Sequence, residues 1–190
     1  MDGMRCPPDR HHRRSVRLRQ YDYRQSGAYF VTLCTYNRQC LFGEIIDGRM
    51  VQDDVGRIVA TEWERTPQIR HEIDLDAWVL MPNHLHAIIV IAPAADELSL
   101  PQTSLPAGVS IRGMGSIKKS LSSLVQGFKS ATTVQINAAR ETPHVPVWQR
   151  GFYEHVIPHE ADLRRIREYV ADNPRRWAED ENNPSWIATP

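Results

Sequence analysis

The sequence predicts an α+β chain whose elements follow one another as β-α-β-β-α-β, with one further helix after them. Three observations predict it. Residues 76–92, DAWVLMPNHLHAIIVIA, are two apolar runs split by Pro82-Asn83, the pattern of two strands and a tight turn. Stretches 51–65 and 117–139 repeat apolar residues every three to four positions, the helical period. Runs rich in aromatic and β-branched residues at 28–36 and 147–157 supply the remaining two strands.

Each element has its own local reason. Residues 1–25 open on Cys6-Pro7-Pro8 and carry Arg10, Arg13, Arg14, Arg17, Arg19 and Arg24 beside His11 and His12, so they read as an irregular basic arm. Tyr21 and Tyr23 stand among these arginines, a mix that either contacts phosphates and stacks on bases or anchors the arm. The strand AYFVTLCTY follows at 28–36. Asp47-Gly48 marks a small hairpin. In the helix at 51–65, Val55, Ile58, Val59 and Trp63 form the apolar row, and Pro67 helps to end it. Strands at 74–81 and 84–92 flank Pro82-Asn83.

Six prolines and glycines punctuate 93–116, a long mobile excursion of the kind that often carries function. The helix at 117–139 turns Ile117, Leu121, Leu124, Val125, Phe128 and Ala131 to one side, with Lys118, Lys119 and Lys129 on others. A strand at 147–157 and a helix at 161–172, with Leu163, Ile166 and Val170 as its apolar row, complete the order. Pro174 limits the helix. The order is that of the ferredoxin-like, split βαβ sheet, with two helices on one face. The last helix is left free to lie across the other.

A chain of 190 residues suits one domain, expected at 26–177 between the arm and a tail at 178–190. Hydrophobic content of 41% and charged content of 24% are ordinary for a soluble protein. No apolar run approaches the roughly 20 residues that cross a bilayer, and the N-terminus lacks a signal-peptide core, so no membrane partner and a cytoplasmic location are expected. Cys6, Cys34 and Cys40 read as free thiols. Net charge is zero, yet it is segregated. The arm and the set Arg112, Lys118, Lys119, Lys129 and Arg140 are basic, while acids gather at 44–76 and after Glu160. Such segregation gives either a basic face for nucleic acid or two solvated charge runs.

The chemistry centres on His84-Leu85-His86. Alternation along a strand turns both imidazoles to one face and Leu85 to the other, where they either ligate one divalent cation or bond to backbone and water. Tyr169 and Asn173, four apart, share one face of the last helix. A phenol and a carboxamide laid across the histidines complete a phosphodiester-transfer site. Asn173 is then an oxygen ligand and Tyr169 the nucleophile, forming a covalent phosphotyrosine. Tyr169 in plain packing is the alternative.

The stretches RLRQYDYRQSGAYFVTLCTYNR, LFGEI, DAWVLMPNHLHAIIVI, SLSSLVQGFKSATT, VWQRGFYEHVI and REYVADNPRRW resemble, in order, the REP-associated tyrosine transposases. These are relatives of the single-tyrosine transposases among the His-hydrophobic-His (HUH) endonucleases. The resemblance implies Mg²⁺ or Mn²⁺ on His84, His86 and Asn173, with Tyr169 as nucleophile. It implies cleavage of single-stranded DNA beside hairpins, leaving a 5′-phosphotyrosine and a free 3′-hydroxyl. Insertion-sequence relatives often carry Gln where Asn173 stands, and they act as dimers, so a homodimer is an open expectation. Candidate DNA contacts are Arg13, Arg14, Arg17, Arg19, Lys118, Lys119, Lys129 and Arg150. Glu154 and His155 match the pattern and supply either ligand support, a DNA contact or plain structure. Two rival functions stay open: a metal nuclease using activated water, and a non-enzymatic binder of structured nucleic acid.

Overall fold

The structure, a computed structural model, describes residues 26–92 and 120–184. Strand β1 (Gly27–Cys34) leads into a short hairpin, β2 (Gly43–Ile46) and β3 (Arg49–Gln52), then helix α1 (Asp54–Glu64) and a single turn, α2 (Thr66–Ile69). The hairpin β4 (Ile73–Met81) and β5 (His84–Ile91) comes next, followed by α3 (Leu121–Ala139), β6 (Tyr153–Ile157) and α4 (Glu160–Asp172). A 3-10 segment, Asn173–Glu179, continues from α4. The main sheet runs β4-β5-β1-β6, with every neighbour antiparallel. Strands β1 and β4 are therefore parallel with β5 between them, which is the expected split βαβ order.

Local chemistry sets the ends of these elements. Asp47 and Gly48 take φ of 49° and 70°, the left-handed pair of a tight hairpin turn. Helix α1 starts at Asp54 and not at 51, because Val51 and Gln52 pair with Glu44 and Gly43. Asp53 caps it by accepting the Gly56 N–H at 2.8 Å. A Cβ on Gly56 would lie 2.1 Å from the Phe42 carbonyl oxygen, so only glycine lets α1 approach that loop. Pro67 opens α2 instead of ending α1. Ser120 is extended and its hydroxyl accepts the Ser123 N–H at 3.2 Å, so α3 begins at Leu121. Residues 117–119, with Lys118 and Lys119, lie outside the described residues. So do the arm, with Arg13, Arg14, Arg17 and Arg19, and the 93–116 excursion.

The strand expected over 147–157 is shorter than its pattern, starting only at Tyr153. Trp148 makes one isolated bridge to Thr35. Its indole lies beneath α3, where the N–H donates to Thr132 Oγ1 at 2.9 Å. Lys129 Nζ donates to the Gln149 and Gly151 carbonyls at 2.9 and 2.7 Å. Those bonds satisfy backbone that a ladder would otherwise engage, and they hold 149–151 as a loop.

The two faces of the sheet carry different layers. Tyr29, Val31, Leu33, Leu85, Ala87 and Ile89 pack with α1 and α3, where Trp63 and Phe128 meet edge to face at 4.9 Å. On the opposite face Phe30, Ile88 and Ile157 pack with Ile166 and Val170 of α4. A bidentate pair from Arg167 to Asp76, at 2.8 and 2.6 Å, fixes α4 to the irregular part of β4. Thus α4 lies across the face that presents the histidines. Among the described residues no helix is long and apolar enough to cross a membrane.

Candidate metal centre and its cleft

Cross-strand pairing builds the site. Thr32 stands opposite His86 and Cys34 opposite His84, so β1 and β5 share one polar patch where Leu33 and Leu85 point the other way. Both histidines are buried, at 0% and 3% exposure, which is costly for a polar ring unless it finds partners. His86 Nδ1 finds Thr32 Oγ1 at 2.9 Å and its Nε2 finds the Tyr169 hydroxyl at 3.2 Å. His84 Nδ1 finds Asn83 Oδ1 at 2.9 Å. Among the described residues His84 Nε2 meets no partner within strict hydrogen-bond geometry, and the Asp180 Oδ2 carboxylate oxygen is 3.6 Å away.

Three groups that ligate metals therefore converge. One donor atom from each of His84, His86 and Asp180 lies within 4.8 Å of the others. Asn173 caps α4 beside them, only 5% exposed, and its Oδ1 also lacks a hydrogen-bond partner among the described residues. Burial pushes the His84 imidazole down to about 3, with the Arg38 charge adding and the Asn173 carboxamide opposing. Burial and the neighbouring His84 push His86 well below its ordinary value. Both rings are thus neutral at neutral pH, the form that binds metal. Burial and the Asp180 charge push the Tyr169 phenol above its ordinary value.

Tyr169 is 43% exposed and stands edge-on to Phe30, ring centres 5.9 Å apart. It faces an open cleft of about 1010 Å³ whose lining includes Phe30, Thr32, His86, Arg150, Tyr153, Arg165 and Tyr169. Arg150 is exposed there. Lys129 is occupied with the loop carbonyls described above, so its ammonium supports the cleft wall. His155 pairs with Phe30 in the sheet, which puts it on the histidine face, and its Nε2 lies 2.9 Å from Asp162 Oδ2. Glu154 pairs with Val31 and so belongs to the opposite face.

Two residues at the centre are not flagged by the sequence reading. Asp180 falls in its tail, beyond Trp177, where nothing in DENNP sets one acid apart. Asn83 reads as a turn residue, and its adjacency to His84 is the only hint of more.

No family model matches the chain. It is 40% identical over 177 residues to an uncharacterized protein of Haemophilus influenzae, covering 90% of this chain and 93% of that one. Among solved structures, a REP-associated tyrosine transposase bound to a REP hairpin is similar, with a TM-score of 0.54 and 20% identity, over 83% of this chain and 72% of that one. At that identity the likeness concerns the fold.

Proposed function

The chain belongs to one family with the Haemophilus influenzae protein, and we propose that it is a metal-dependent single-stranded DNA endonuclease that cuts and rejoins strands beside hairpins through Tyr169. The observation that carries this reading is the meeting of the Tyr169 hydroxyl with His86 at 3.2 Å, beside buried donor atoms that have no partner of their own. The hairpin in the solved neighbour's complex suggests the substrate class.

His84, His86 and Asp180, with Asn173 as a further oxygen donor, would hold Mg²⁺ or Mn²⁺. Neutral imidazoles beside carboxylate and amide oxygens suit such an ion, and the bare His84 Nε2 and Asn173 Oδ1 are what an ion would satisfy. Bound there, the cation polarises the scissile phosphate and offsets the charge of the transition state. The chain's own residues do the rest. Phe30 and His86 set the ring of Tyr169 at the cleft wall. Its oxygen attacks phosphorus, an O–P ester forms, and the P–O3′ bond breaks. The phenolic proton passes to solvent and the departing 3′-oxygen takes one up. Attack by a 3′-hydroxyl on the ester reverses the step and frees Tyr169. Arg150, the arm arginines Arg13, Arg14, Arg17 and Arg19, and Lys118 and Lys119 would contact phosphates.

The test is incubation with single-stranded hairpin DNA from the flanks of its own gene and Mn²⁺, followed by a denaturing gel. A slow-migrating protein–DNA band and a fragment with a free 3′-hydroxyl are expected, both lost with chelator and in Tyr169→Phe. Asp180 gives one other reading a footing, because a carboxylate beside the metal could activate water. Cleavage without the band, persisting in Tyr169→Phe, selects that reading.

A further inference from the structure

Taking the metal site as proposed above, we infer that Asn83 is a positioning residue that holds His84 in its Nδ1–H tautomer and so keeps Nε2 open for the ion. Turn residues lie at the surface as a rule, but Asn83 is 0% exposed. Its side chain makes three bonds, none to its own backbone. Nδ2 donates to the Arg38 carbonyl at 2.9 Å and the Asn182 carbonyl at 2.7 Å, and Oδ1 lies 2.9 Å from His84 Nδ1.

The orientation of that amide follows from its partners. Carbonyl oxygens only accept, so the amide end that meets two of them must be the NH₂. Oδ1 therefore faces His84, and since it only accepts, Nδ1 must carry the hydrogen. A neutral imidazole has one N–H, so Nε2 holds a lone pair. That lone pair faces Asp180 Oδ2 at 3.6 Å with no hydrogen between them. Two acceptors 3.6 Å apart, with the Asn173 carboxamide near enough to His84 to act on its proton affinity but outside strict hydrogen-bond geometry, make a cation hole. In the other tautomer, Nε2–H would donate to Asp180 and the site would close on itself. Asn83 thus decides between a metal site and a satisfied His–Asp pair. The Asn182 carbonyl it holds belongs to the segment that carries Asp180, so the same amide also seats that ligand. This follows the general rule that a metal-binding imidazole is oriented through its other nitrogen.

The test reads the tautomer directly, by long-range ¹H–¹⁵N NMR of imidazole nitrogens in the full, metal-free chain at pH 8. The parent is expected to show a protonated Nδ1 and a bare Nε2 at His84. Asn83→Asp keeps an acceptor beside Nδ1 and with it that pattern, while losing both NH₂ bonds to the Arg38 and Asn182 carbonyls. Asn83→Ala moves the proton to Nε2 and weakens Mn²⁺ binding, read by titration without DNA, by about 10- to 100-fold. A protonated Nε2 in the parent overturns the assignment even if neither variant folds. Unchanged tautomer and Mn²⁺ affinity in a folded Asn83→Ala overturn it as well. Because the parent's tautomer is read without metal or DNA, failure of the parent to bind Mn²⁺ would count against the proposed function and not against this assignment.

Discussion

At the scale of residues, the centre rests on polar atoms buried without partners. A bare nitrogen on His84 and a bare oxygen on Asn173 each cost free energy of desolvation, and Asp180 adds a carboxylate at 3.6 Å. A bound cation would offset all three. Asp180→Ala is therefore expected to lower Mn²⁺ affinity about tenfold or more, and Asn173→Ala to slow cleavage with partial rescue at high Mn²⁺; unchanged calorimetric titrations would remove either residue from the centre. Asn173→Gln keeps an amide oxygen and should retain more activity than Ala. Acid gives a second test. His84 is held neutral with a folded value of about 3, against 6.5 when exposed. The unfolded chain thus binds more protons below about pH 6.5, and stability should fall steadily from there toward pH 3. Mn²⁺ affinity, by contrast, should change little between pH 7 and 5, since no imidazole must lose a proton first. A steep drop centred near 6.5 would mean ordinary, solvated histidines.

Elements place these residues, and here the sequence is informative to a definite depth. The alternation of His84, Leu85 and His86 gives the shared face of the imidazoles, and the spacing of Tyr169 and Asn173 gives theirs. The start of β6 was not legible. Residues 147–152 have strand-like composition, but Trp148 and Lys129 draw them into α3's side chains, a tertiary effect that no local pattern carries. Nor was Asp180, whose place depends on a 3-10 turn that returns the chain to the site. Helix α4 holds Tyr169 in register through the Arg167–Asp76 pair. Arg167 holds the Asp76 carboxyl below its ordinary value, so this contribution is present above about pH 4 and lost as pH falls through the depressed folded value. Arg167→Met is expected to raise hydrogen exchange in α4 while leaving α3 unchanged. Equal exchange in the two helices would show that the apolar contacts of Ile166 and Val170 alone fix α4.

For the whole molecule, a sheet covered on one face by α1 and α3 leaves the other for chemistry, and α4 covers only part of it. The cleft is open to solvent; on the proposed function it would take a strand, and the basic arm and the lysines before α3 would supply charge that the neutral total conceals. Binding to hairpin DNA should weaken steeply with salt. Deleting residues 1–19 should lower affinity and flatten the salt slope; a slope unchanged by the deletion would assign the arm to another task.

The central claim, that Tyr169 bonds to DNA phosphorus at a metal centre built on His84 and His86, is tested most directly by trapping. The parent protein is incubated with Mn²⁺ and a hairpin-bearing single strand, digested, and its peptides are sequenced by mass spectrometry. The account predicts a nucleotide phosphate on Tyr169, absent in chelator and in His84→Ala. Cleaved DNA with Tyr169 unmodified, or the phosphate on another residue, would contradict it.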